Sequence, residues 1–87
     1  MVAKTREPDF GQKLAWPVEV RGGLLQRLET LAEAAQFIVA MEDWRQRRRC
    51  WDRAAELILK AAMTSKQEDV LKATRQLARA LRREGWS

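Results

Sequence analysis

The sequence predicts an α+β fold: an N-terminal two-stranded antiparallel β-hairpin followed by three α-helices packed on one face. Three observations carry this. Apolar residues alternate with period two over residues 14–20, a Gly-Gly pair follows at once, and three stretches of helical periodicity come after it. Residues 13–87 are expected to form one compact α+β domain.

Residues 1–12 mix charge with Pro8 and Gly11 and show no period, so they read as a flexible N-terminal tail with order only near Phe10. In KLAWPVEVR, Leu14, Trp16, Val18 and Val20 fall on one face of a strand. Pro17 lacks an amide proton, which places this strand at an edge. Gly22-Gly23 suits a tight turn, and residues 24–29 form the return strand. A lone hairpin is marginal in water, so the helices must cover its apolar face.

Thr30 and Glu33 fit a capping box that opens the first helix. Leu31, Ala34, Ala35, Ile38 and Met41 recur at helical spacing, with Phe37 and Val39 widening the stripe, and the helix should end near Met41 or Glu42. The second helix contains WRQRRRCW and runs to about Met63. Its apolar face is Trp51, Ala54, Ala55, Ile58, Ala61 and Ala62. Ser65 and Glu68 fit a second capping box, which opens the third helix. Val70, Leu71, Thr74, Leu77, Ala78 and Leu81 mark its buried stripe. Gly85 stops it, Arg82 and Arg83 suit the negative end of its dipole, and Trp86 folds back as a cap.

The order WPVEV, a Gly-containing turn, ETLAEAAQFIVAMEDW, RCWDRAAELILKA and VLKATRQLARALRREGW resembles the bacterial family of short proteins called domain of unknown function 982. The resemblance spans roughly residues 14 to 86. It rests on packing motifs, so it implies the hairpin-plus-helices fold and no active-site residues. The family often has proline after the tryptophan matched by Trp44, where this chain has Arg45; the basic run is a departure from the pattern.

Composition narrows the function classes. The chain has no histidine, no tyrosine and one cysteine. The commonest general base and metal ligand are therefore missing, and no intrachain disulfide can form. No carboxylate pair suggests acid–base work. No catalytic, metal or cofactor residues are expected, and no small-molecule ligand. MVAKTREPDF lacks the apolar segment of a signal peptide, and no run reaches the roughly twenty apolar residues of a membrane span. A cytoplasmic location is expected.

Net charge is +5, with the excess in the C-terminal half. In WRQRRRCW, read as helix, Trp44 and Trp51 share a side, with Arg47 and Arg48 between the rings and Arg45 and Arg49 on another flank. One reading is a platform of guanidinium groups and indoles for phosphate and bases. The favoured reading puts Trp51 in the core, Trp44 over the preceding loop, and arginine stems along the rings. Asp43, Asp52 and Glu56 stand close enough to neutralise part of the run. Cys50 reads as a structural thiol.

The leading expectation is a small non-enzymatic domain for protein interaction or self-assembly. A homodimer would pair hairpin edges or bury exposed indoles, through Trp16, Val18, Val20 and Trp86. The alternative is nucleic-acid or other polyanion binding through the basic faces of the second and third helices. Its residues are Arg45, Arg47, Arg48, Arg49, Lys72, Arg75, Arg79 and Arg82.

Overall fold

The computed structural model describes residues 8–21 and 26–86. The chain runs β1 (Lys13–Val20), β2 (Gln26–Thr30), α1 (Leu31–Val39), α2 (Asp43–Gln46), α3 (Arg49–Thr64) and α4 (Gln67–Glu84). The first seven residues of the expected tail and the Gly22-Gly23 turn lie outside the described residues. The rest of that tail is tied down: the Asp9 amide donates to the Ala62 carbonyl, and the Leu31 and Ala32 amides donate to the carbonyls of Gln12 and Phe10.

β1 and β2 pair antiparallel, with Val18 opposite Leu28 and Val20 opposite Gln26, and Lys13 opposite Thr30. Five steps along β1 match two along β2, so the strand bulges around Pro17. The bulge breaks the expected alternation. Leu14, Val18 and Val20 point into the core, while Trp16 is turned out and 41% exposed. The side of β1 away from β2 is taken by α4. Thr74 Oγ1 accepts the Ala15 amide at 3.0 Å, and the Trp86 carbonyl accepts the Arg21 amide at 2.5 Å.

α1 begins with the predicted capping box. Thr30 Oγ1 accepts the Glu33 amide, and Glu33 Oε1 accepts the amides of Thr30 and Glu29. Such a cap contributes about 1 kcal/mol. The helix ends at Val39, short of the predicted Met41.

The predicted second helix is in fact two. α2 is a single turn, the chain becomes extended at Arg48 (φ −63°, ψ 139°), and α3 starts at Arg49. Gln46 holds α2 against the end of α1 by donating to the Val39 and Met41 carbonyls. The break sends Trp44 and Trp51 to different places: Trp51 is fully buried and Trp44 is 52% exposed.

The second capping box is also overturned. Ser65 closes α3 in the left-handed region (φ 57°), and Lys66 precedes α4 without a side-chain cap. The turn between the helices is too short for Ser65 to serve the next one. Asp69 is drawn in instead, accepting from the Thr64 hydroxyl. Burial on α4 is centred on Val70, Ala73, Thr74, Leu77, Ala80 and Leu81; Leu71 and Ala78 are only half-buried.

The core is continuous across all layers. Leu28, Leu31, Trp51, Ile58, Leu77 and Leu81 are its largest fully buried apolar side chains. Each contributes about 1.5–3 kcal/mol of transfer free energy. Small alanines at 54, 61, 73 and 80 let α3 and α4 approach closely. No helix among the described residues is long and apolar enough to cross a membrane.

Candidate interaction surfaces

The arginine run divides at the α2–α3 break, and the two halves meet different surroundings. Arg45 turns inward. Its guanidinium is stacked between two indoles, 4.6 Å from the Trp44 ring centre and 4.7 Å from that of Trp86. Its Nη1 donates to Glu84 Oε2, and its Nη2 lies 3.5 Å from Glu42. Arg48 Nη1 reaches the other oxygen of Glu84 at 2.7 Å, and the Arg48 guanidinium carbon sits 5.0 Å from the Trp44 ring centre. The Glu84 side chain is 3% exposed. A buried carboxylate is thus shared by two guanidinium groups under a lid of indole.

Gly85 makes this clasp reachable. At φ 77° it ends α4, its amide donating to the Arg82 carbonyl and the Trp86 amide to that of Leu81. These two bonds reverse the chain in a Schellman motif. Trp86 then folds back edge-on to Phe37 (ring centres 6.2 Å apart, 87°) and against Trp51 at 6.2 Å. The clasp therefore joins α2, α4 and the aromatic part of the core. Two of its donors, Arg45 Nε and the neighbouring Trp51 Nε1, are buried without an acceptor among the described residues.

Past the break, the arginines face outward into a groove of about 360 Å³ between the start of α3 and the second half of α4. Arg49 and Arg53 line one wall, Arg79 and Arg83 the other, with Cys50 and Gln76 between them. The spacing explains the convergence. Each pair is four residues apart, so both of its members lie on one helix face. Gln76 Nε2 donates to the Cys50 carbonyl at 3.1 Å and ties the walls together.

An apolar surface lies elsewhere, where α1 meets α3. Ala55, Leu59 and Met63 form an exposed stripe along α3, and Val39 projects beside it from α1 at 72% exposure. Phe10, Ala35, Ile38 and Ile58 help line the adjoining groove of about 190 Å³.

Of the eight basic residues singled out from the sequence, Arg49 and Arg79 come together in the cationic groove. Arg45 and Arg48 belong to the clasp. Arg47, Lys72, Arg75 and Arg82 are exposed. Arg53, Arg83 and Glu84 were missed; the i, i+4 recurrence from Arg49 and from Arg79 was the available signal for the first two. Of the residues expected at a dimer contact, Val18 and Val20 are core and Trp86 is docked in its own chain; Trp16 is the exposed one. No family model, curated protein or solved structure matches the chain.

Proposed function

We propose that this chain is a small non-enzymatic interaction domain of the cytoplasm that self-associates through the outer face of α3. The exposed stripe Ala55–Leu59–Met63, beside Val39, carries the reading. Leu59 and Met63 are about half exposed, although apolar side chains of this size are favoured in the interior. The hairpin is a poor alternative, because α4 occupies the free side of β1 and the valines are buried.

A second copy fits the stripe better than an unrelated partner does. In an antiparallel two-fold pair centred on Leu59, small Ala55 meets large Met63 of the other copy. A two-fold interface is self-complementary in this sense. The flank carries both signs, Asp52, Glu56 and Lys60, so a second copy meets no field of a single sign there. The lack of histidine supports the non-enzymatic part. The resemblance to domain of unknown function 982 agrees with a packing role and brings no chemistry with it.

Sedimentation over a concentration series tests this. Wild type should pass from monomer to dimer, and Leu59→Glu should remain monomeric with unchanged helical circular dichroism. A strict monomer at the highest concentration would falsify the reading.

A further inference from the structure

We propose that the groove between α3 and α4 is a phosphate-binding site, formed by Arg49, Arg53, Arg79 and Arg83 together with the first amides of α3. The ligand is a phosphate group, carried either by a small phosphorylated molecule or by a phosphodiester strand. This surface is separate from the Leu59 stripe, and the proposal does not depend on self-association.

Charge balance is the first observation. Arg49, Arg79 and Arg83 have no carboxylate within ion-pair distance among the described residues. Arg53 has one, Glu56 at 3.4 Å, and both side chains are largely exposed, which makes the pair weak. Glu84 adjoins the groove but is already engaged by Arg45 and Arg48. Asp52 is exposed on α3 and pairs with none of the four. Four cations thus converge with little compensation, and a bound anion would remove their mutual repulsion.

The second observation is the end of α3. Arg48 precedes this sixteen-residue helix without a side-chain cap. The amides of Trp51 and Asp52 both donate to the Arg48 carbonyl, while those of Arg49 and Cys50 have no acceptor among the described residues. Arg49 and Cys50 both line the groove. A helix start is the positive end of the dipole and disfavours the arginines gathered there, yet it favours an oxyanion. Guanidinium forks match phosphate oxygens two at a time. The groove volume lies within the range of roughly 300–1,000 Å³ typical of ligand sites. The Gln76–Cys50 bond holds the walls in place before a ligand arrives.

The full chain would be titrated at low salt with inorganic pyrophosphate and, separately, with a short single-stranded oligonucleotide, following backbone amide resonances. Pyrophosphate should shift the Arg49 and Cys50 amides. R49Q/R79Q should weaken binding at least about tenfold, since charge-assisted hydrogen bonds are lost. K13Q/K66Q removes the same charge outside the groove and should bind as wild type does. Oligonucleotide binding that pyrophosphate displaces supports the site and identifies a phosphodiester ligand; pyrophosphate binding alone supports it with a small phosphorylated ligand. Absence of any shift overturns the proposal. So does equal weakening by the two double variants, or oligonucleotide binding that survives R49Q/R79Q.

Discussion

Arg45 and Arg49 stand one helical turn apart in the sequence and end in opposite situations. Arg45 is a structural part: stacked between Trp44 and Trp86 and bound to a buried carboxylate. Arg49 lines an open groove with three other arginines and no acid of its own. Residue type and local spacing do not separate them. What separates them is Glu84, which α4 brings into ion-pair contact with Arg45 and Arg48 but not with Arg49. An arginine's role here is set by the counter-charge that the tertiary fold brings, and that counter-charge comes from far along the chain.

The comparison predicts its largest effect at the shared carboxylate. Glu84→Gln leaves the largely buried Arg45 with only the exposed Glu42, 3.5 Å away, in place of its enclosed ion partner. Removing one member of a buried pair is destabilising by about 3–5 kcal/mol. Arg48 is half exposed and can recover water, so about 3 kcal/mol is expected. In a chain of this size that lowers the melting temperature by about 12–24 °C. Glu68→Gln, at an exposed position in the first turn of α4, should shift melting by a few degrees at most. Equal shifts for the two variants would mean that Glu84 counts for no more than an exposed carboxylate and that the clasp adds nothing to stability.

How much of this could be read in advance depends on the range of the interaction. The hairpin, the Thr30 capping box and the core positions of α3 from Trp51 to Ala62 follow from local period and local caps, and they are present. Ala55 is the exception, left outside by the way α1 packs. Alternation alone puts Trp16 on the inner face, because it takes no account of the bulge around Pro17. Ser65 matched a cap pattern, but the tight α3–α4 turn used it in the left-handed region and passed the polar role to Thr64 and Asp69. The split of the second helix left no local mark. WRQRRRCW contains no glycine or proline, and the extended Arg48 is stabilised by Glu84, thirty-six residues away. The cationic groove is half legible: the i, i+4 spacing ties Arg49 to Arg53 and Arg79 to Arg83, but that these faces of α3 and α4 meet is set by tertiary packing alone.

A second, smaller effect sharpens what holds the clasp. Arg45→Lys keeps the positive charge near Glu84 but removes the flat guanidinium that lies against both indoles. Lysine also lacks the rigid fork that lets Arg45 face Glu84 with one nitrogen and Glu42 with the other. The loss should be about 1–2 kcal/mol, the scale of a desolvated cation–π contact, measured as a shift in the denaturation midpoint. A midpoint identical to wild type would mean that charge alone is sufficient and that the Trp44–Arg45–Trp86 stack contributes nothing.

The smallest effect has the opposite sign and comes from the groove. Arg49 occupies the first position of α3, where the positive end of the helix dipole repels it, and it faces Arg53, Arg79 and Arg83. Arg49→Gln should therefore stabilise the free protein by about 0.3–1 kcal/mol at low ionic strength. The gain should fade as salt is added, because these charges are open to solvent and are screened. The Glu84 effect should resist the same salt, because that carboxylate is enclosed. Denaturation of Arg49→Gln and Glu84→Gln at low and high salt thus sets the two arginine environments side by side. If Arg49→Gln destabilises, or if its effect ignores salt, Arg49 has a partner inside the fold and the groove is not an uncompensated cluster. If it stabilises at low salt alone, a charge arrangement unfavourable to the empty fold is in place where an oxyanion would relieve it.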